Sequence, residues 1–136
     1  MATKSDNKHA ATEKKVVLIT GASSGIGAGT ASVFHDAGWT VIGVDCQPPI
    51  QEDVRLAIDH FYNVDLAKPS DIEKLSKEIS ATFAKLDALV NNAGINRPVA
   101  PVEQMSVDEY SLLIDINLRA PWCMCKYFKP LLKNGV

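Results

Sequence analysis

Val16-Val17-Leu18-Ile19-Thr20-Gly21-Ala22-Ser23-Ser24-Gly25-Ile26-Gly27 is the stretch on which the fold turns. Val, Val, Leu and Ile in succession suit a strand buried on both faces, as in a parallel sheet. Gly21, Gly25 and Gly27 then remove side chains where the backbone must turn and another group must come close. From there Ile26, Thr30, Val33, Phe34 and Ala37 recur at helical spacing. That spacing predicts a helix over 25–37 with those residues as its buried face and Gly38 as its stop. A strand, a glycine turn and a helix start point free N–H groups and the positive end of a helix dipole at one place. This is a site for a phosphate. A tight connection that holds no ligand is the other reading of the same residues.

Outward from that stretch, 136 residues with 46% hydrophobic and 22% charged positions describe one globular domain with a real core. A formal charge of −2 gives no electrostatic case for nucleic acid or an anionic membrane. No apolar run approaches transmembrane length. Cys46, Cys123 and Cys125 form no CxxC pair and no disulfide framework, and read as reduced thiols of a cytoplasmic protein. His9, His35 and His60 are scattered and suggest no metal site. Residues 1–13 are small and polar, carry no secretory h-region, and read as a disordered tail ahead of a domain over 14–136.

Taken in order, strands are expected over about 15–20, 39–45, 60–65 and from 87 into Asn91-Asn92-Ala93-Gly94. Residues 46–59, with Pro48 and Pro49, read as a loop holding at most a short helical turn. Ser70-Asp71-Ile72-Glu73 reads as a capping box opening a helix with Ile72, Leu75, Ile79, Phe83 and Leu86 on its apolar face. Ser106-Val107-Asp108-Glu109 reads as a second capping box, opening a long helix to about Leu132 that bends near Pro121. Asn134-Gly135 ends it and Val136 begins a fifth strand. Strands alternating with helices imply βαβ units, right-handed crossovers and a doubly wound parallel sheet. Ligands of such sheets bind beyond the carboxyl ends of the strands, where Gly21–Gly27, Asp45, Asp65 and Asn91–Gly94 all fall.

Asp45 stands 18 residues after Gly27, where a dinucleotide fold sets a carboxylate against ribose hydroxyls. No Arg stands in Cys46-Gln47-Pro48 and Ser24 is uncharged, so a 2′-phosphate finds no cation. That favours NAD over NADP. A solvated or capping Asp is the alternative. Asp65 fits a turn as well as an adenine contact. The amides of Asn91 and Asn92 either tie neighbouring strand ends together or meet a ribose. Asn117 lies mid-helix, either idle and exposed or marking a local break that frees a carbonyl.

These motifs together resemble the short-chain dehydrogenase/reductase family over about residues 14–136. Thr20-Gly21-Ala22-Ser23-Ser24-Gly25-Ile26-Gly27 is similar to the family's TGxxxGxG motif, and Asn91-Asn92-Ala93-Gly94 to its NNAG motif. Asn63-Val64-Asp65-Leu66 resembles its adenine segment, and Ile116-Asn117-Leu118-Arg119-Ala120-Pro121 the segment bearing its helix Asn. The resemblance implies a Rossmann-type fold that stops as the fifth strand begins. It also implies that an alcohol and a ketone are interconverted by hydride transfer with NAD, with NADP disfavoured. Gly21, Ser23, Ser24, Gly25, Ile26 and Gly27 would surround the pyrophosphate and nearby ribose, and Asp45 would hold the adenosine ribose. Asp65 and Leu66 would contact adenine, and Asn91, Ala93 and Gly94 would line the cofactor. Asn117 would support a catalytic lysine through its backbone and a water.

The family's Tyr-x-x-x-Lys pair is missing: four residues after Tyr62, Tyr110 and Tyr127 stand Leu66, Ile114 and Leu131. The expectation is therefore the cofactor-binding part of an oxidoreductase, inactive by itself. A non-catalytic nucleotide-binding or subunit-pairing module is the alternative. The family likeness also implies a small-molecule substrate and a homo-oligomer. Without the family's later strands, Leu89 and Val90 are expected on an open sheet edge and Leu112, Leu113, Ile116 and Trp122 on an exposed helix face.

Overall fold

The computed structural model describes residues 13–97 and 100–132. Residues 1–12 of the expected tail, and the strand start at Val136, lie outside the described residues. Four parallel strands, β1 (Val16–Thr20), β2 (Thr40–Asp45), β3 (His60–Asn63) and β4 (Ala88–Val90), form one sheet in the order β3-β2-β1-β4. The helices are α1 (Gly25–Asp36), α2 (Glu52–Leu56), α3 (Pro69–Thr82), α4 (Val107–Ile114) and α5 (Ala120–Phe128). β1 is central, and Val16 to Ile19 are buried along its whole length. Alternate residues serve opposite faces. Val17, Ile19 and Val41 pack with Ala28, Ala31 and Val54 beneath α1 and α2. Val16, Leu18, Ile42 and Val44 pack with α3 and α5 through Ile72, Leu75, Ile79, Met124 and Phe128. This is the doubly wound α/β architecture that the alternation of elements implies.

Three local expectations are corrected by the structure. The buried face of α1 is Gly27, Ala28 and Ala31, while Ile26 and Val33 are 82% and 69% exposed. Small residues face the sheet because α1 must approach the turn after β1 closely. α3 starts one residue before the expected box: Lys68 is its N-cap, Pro69 opens it, and no side chain caps it. Proline has a fixed φ and no N–H to satisfy, so it takes the first helical position and draws Ser70 into the helix. Glu73 pairs instead with Lys77 one turn on, at 2.8 Å. Leu112, Leu113 and Ile116 are half-buried rather than exposed, whereas Trp122 is 61% exposed.

Other local readings hold. α1 ends in a Schellman turn: Gly38 N–H donates to the His35 carbonyl at 2.9 Å and Trp39 N–H to Phe34 at 3.1 Å. The Phe34 and Trp39 rings meet edge to face across it, centroids 4.8 Å apart. At α4 the box is complete. Ser106 Oγ accepts the Glu109 N–H at 3.1 Å, and the Glu109 carboxylate accepts the Ser106 N–H at 3.0 Å. β4 is an edge of the sheet among the described residues.

Ser106→Ala should lower the free energy of unfolding by about 1 kcal/mol. Ser70→Ala, at a position where the side chain caps nothing, should change it by less than about 0.5 kcal/mol. Chemical denaturation of the two variants checks this, and equal costs would contradict the helix start at Pro69.

Candidate dinucleotide site

The carboxyl ends of the strands are bound together before any ligand is considered. Thr20, the last residue of β1, is 2% exposed and its hydroxyl is saturated. Oγ1 donates to the Val90 carbonyl at 3.4 Å and accepts the N–H groups of Asn92 and Ala93, each at 3.0 Å. Asn92 reaches back: its Nδ2 donates to the carbonyls of Thr20 at 3.0 Å and Gly21 at 3.2 Å. The turn after β1 and the turn after β4 are thus one hydrogen-bonded block. β1 and β4 flank the point where the strand order reverses, the expected ligand position in such sheets.

Two glycines let the block close. Gly21 has φ +67°, and a Cβ there would stand 2.9 Å from both Ala93 Cα and Asn92 Nδ2. A Cβ on Gly27 would strike the Gly21 carbonyl and come within 2.5 Å of Asn92 Nδ2. Backbone positioned that tightly leaves the start of α1 open. Ser24 is the N-cap but makes no side-chain cap, and no acid lies in the first turn. The first N–H groups of α1 and its positive dipole end are therefore available to an anion.

A cleft of about 340 Å³ runs along this edge, lined among others by Gly21, Ser24, Ile26, Asp45, Leu66, Ala93, Gly94 and Ile116. A second, of about 520 Å³, opens on the other side of Asp45, beside Ser23, Gly25 and Gln47. Asp45 borders both. Its Oδ2 accepts the Ser23 N–H at 3.1 Å. Partial burial, with the Asp45 carboxylate beside it, pushes the Cys46 thiol pKa up, which keeps that thiol protonated. The residues lining the two clefts include no Lys or Arg.

The side chains of Asn91 and Asp65 are not brought to the cleft. Asn91 turns its amide to Cys125 Sγ on α5, 3.6 Å away. Asp65 closes its own turn, accepting the Ala67 N–H at 3.0 Å and pairing with Lys68 at 3.2 Å, while its neighbour Leu66 is buried in the cleft wall. Thr20 is the residue that sequence reasoning left out of the site, while the Asn92 amide takes the first of its two offered roles and ties neighbouring strand ends together. The signal for Thr20 was a lone hydroxyl ending an all-apolar buried strand.

Asn117 is exposed but not idle, and it lies in a local break of the helix. Residues Asp115–Arg119, between α4 and α5, form a π turn in which Ala120 N–H bonds the Asp115 carbonyl five residues back. Pro121 supplies no N–H to the Asn117 carbonyl four residues before it, so the irregularity falls one turn ahead of the proline. The Asn117 side chain grips Ile95 twice, accepting its N–H and donating to its carbonyl, both at 2.8 Å. The loop after β4 is thereby pinned to the helix. Among the described residues no group of His, Cys, Asp and Glu could hold a metal, and no helix is long and apolar enough to cross a membrane.

A cleft at the switch point of a β3-β2-β1-β4 sheet, lined by an open helix start and by the Asp45 carboxylate, is the arrangement of a doubly wound, Rossmann-type fold. The short chain dehydrogenase family profile matches residues 15–136, and the chain belongs to that family. It is 33% identical over 125 residues to L-fucose dehydrogenase of Oryctolagus cuniculus, covering 89% of this chain and 43% of that protein. It is 31% identical to D-threitol dehydrogenase of Mycolicibacterium smegmatis, covering 82% of this chain and 45% of the relative. Among solved structures, a 3-ketoacyl-(acyl-carrier-protein) reductase from Brucella melitensis complexed with NADH superposes with TM-score 0.80 at 33% identity, over 89% of this chain and 51% of that one. A metagenomic short-chain oxidoreductase in complex with NADP gives 0.78 at 28%, over 87% and 56%. The chain thus spans a little under half the length of these curated relatives.

Thr20→Val keeps the shape of the side chain and removes the acceptor that serves two N–H groups. It should cost about 2 kcal/mol of stability through those orphaned donors. Thr20→Ser should cost less than half as much. Thermal or chemical unfolding of the pair measures the difference, and similar costs would mean that the methyl, not the hydroxyl, matters.

Proposed function

We propose that the cleft binds a nicotinamide dinucleotide, NAD(H) in preference to NADP(H). The complete protein would use it to interconvert an alcohol and a ketone in a small-molecule substrate. The observation that carries this reading is the pairing of an uncapped helix start with a carboxylate in the lining of one cleft. The residues fit the group. The close-packed Gly21 and Gly27 let a pyrophosphate reach backbone N–H groups, and Ser23, Ser24, Gly25 and Ile26 complete that turn. Asp45 accepts hydrogen bonds from the adenosine ribose, and Leu66 forms an apolar wall for adenine. Asp65 acts through the turn that carries Leu66. Ala93 and Gly94 line the nicotinamide half, and Asn91 steadies their strand end from the α5 side.

The cofactor, when bound, supplies the hydride. This chain's residues orient it and hold the loop after β4 in place through Asn117. The Asn117 backbone carbonyl, with no N–H from Pro121, is suited to hold a water for a lysine of the proton-transfer pair. No Tyr-x-x-x-Lys occurs in the 136 residues. That favours, for the chain taken alone, dinucleotide binding without turnover. Exposed Tyr110 on α4, Leu118 in the π turn and Trp122 on α5 support pairing with a second copy. Three unpaired cysteines support a reducing, cytoplasmic setting.

The cofactor preference rests on charge. A 2′-phosphate would meet the Asp45 carboxylate in clefts without a lining cation. Titration of the chain, followed by nicotinamide fluorescence, should show NADH binding at least about tenfold tighter than NADPH. Asp45→Ala should reduce that ratio to about two. Failure of either dinucleotide to bind would overturn the reading, and an unchanged ratio in the variant would overturn the role of Asp45.

A further inference from the structure

We infer that Ser23 is a positioning residue for cofactor choice: its hydroxyl holds the exit of β2 so that the Asp45 carboxylate faces the adenosine ribose. The inference rests on the dinucleotide reading of the cleft. Ser23 ties the phosphate turn to the residues after β2 at two points. Its N–H donates to Asp45 Oδ2 at 3.1 Å, and its Oγ donates to the Gln47 carbonyl at 2.6 Å. Gln47 N–H in turn reaches Asp45 Oδ1 at 3.4 Å, and Asn63 Nδ2 holds the intervening Cys46 carbonyl at 3.3 Å. The three residues Asp45 to Gln47 are therefore fixed from both the β1 and the β3 sides.

An ionised carboxylate has about four lone-pair positions, and each Asp45 oxygen spends one on a backbone N–H. The remaining positions match the two hydroxyls of a ribose. Without the Ser23 hydroxyl, the Gln47 carbonyl loses its donor and the exit of β2 loses one of its anchors. Asp45 then adopts more orientations, and part of the ordering cost returns at each binding event. A ligand that needs the carboxylate suffers. A ligand that is merely repelled by it does not.

The test is a double-mutant cycle on the full chain, read as equilibrium binding of NADH and of NADPH, with unfolding midpoints taken alongside. Ser23→Ala should weaken NADH about fivefold, the worth of one modest hydrogen bond, and change NADPH by less than about twofold. In an Asp45→Ala background the same change should have no further effect on NADH. Ser23→Thr, which keeps the hydroxyl, should restore the wild-type ratio. Equal losses for both dinucleotides, full additivity with Asp45→Ala, or no loss at all would overturn the inference while leaving the dinucleotide reading intact. A wild-type chain that binds neither dinucleotide overturns both.

Discussion

The Thr20 hydroxyl is the contact on which the ligand edge of this molecule depends. It ends the central strand, is buried, and is shared among the Val90 carbonyl and the N–H groups of Asn92 and Ala93. A parallel ladder between β1 and β4 runs out at Ile19 and Val90. Beyond it, backbone groups in a low-dielectric interior need other partners. Thr20 and Asn92 supply them, and in doing so weld two turns from distant parts of the chain into one surface. The cleft is the shape left over when that weld is made.

The weld dictates the character of α1. A helix that follows such a turn must start against the Gly21 carbonyl and the Asn92 amide. Only a glycine at 27 leaves room, and Ala28 and Ala31 continue the small face beneath the sheet. The larger apolar residues of α1 are pushed outward or to its flank, Ile26 to the mouth of the cleft and Val33 to solvent. Periodicity finds the helix but weights residues by hydrophobicity. The packing selected by size, so the helix was legible and its buried face was not. At α3 the same limit appears in another form: Ser-x-x-Glu is a real capping signal, and Pro69 overrides it by fixing the backbone one residue earlier.

The second anchor of the edge is Asn117. Asparagine inside a helix costs stability unless its amide is used, and here both ends of the amide serve the backbone of Ile95. The π turn before Pro121 supplies the extra residue that aims it there. A sequence reading could offer a local break among two alternatives; choosing between them needed the position of the loop after β4. Asp65 and Asn91 show the reverse. Each stands at the right strand end, and each spends its side chain on local structure, on a turn and on α5 respectively.

The sequence by itself determined the element order, the parallel doubly wound class, the glycine turn and the carboxylate at Asp45, because these follow from local chemistry: apolar runs, backbone freedom and spacing along one chain. It determined the family for the same reason, since the motifs lie in short contiguous stretches. Tertiary structure alone decided which side chains of those motifs face the cleft and which fasten it. Thr20 meets Asn92 across 72 residues, and Asn117 meets Ile95 across 22. Such pairings depend on the register of strands and the closeness of helix to sheet, quantities that no local pattern encodes.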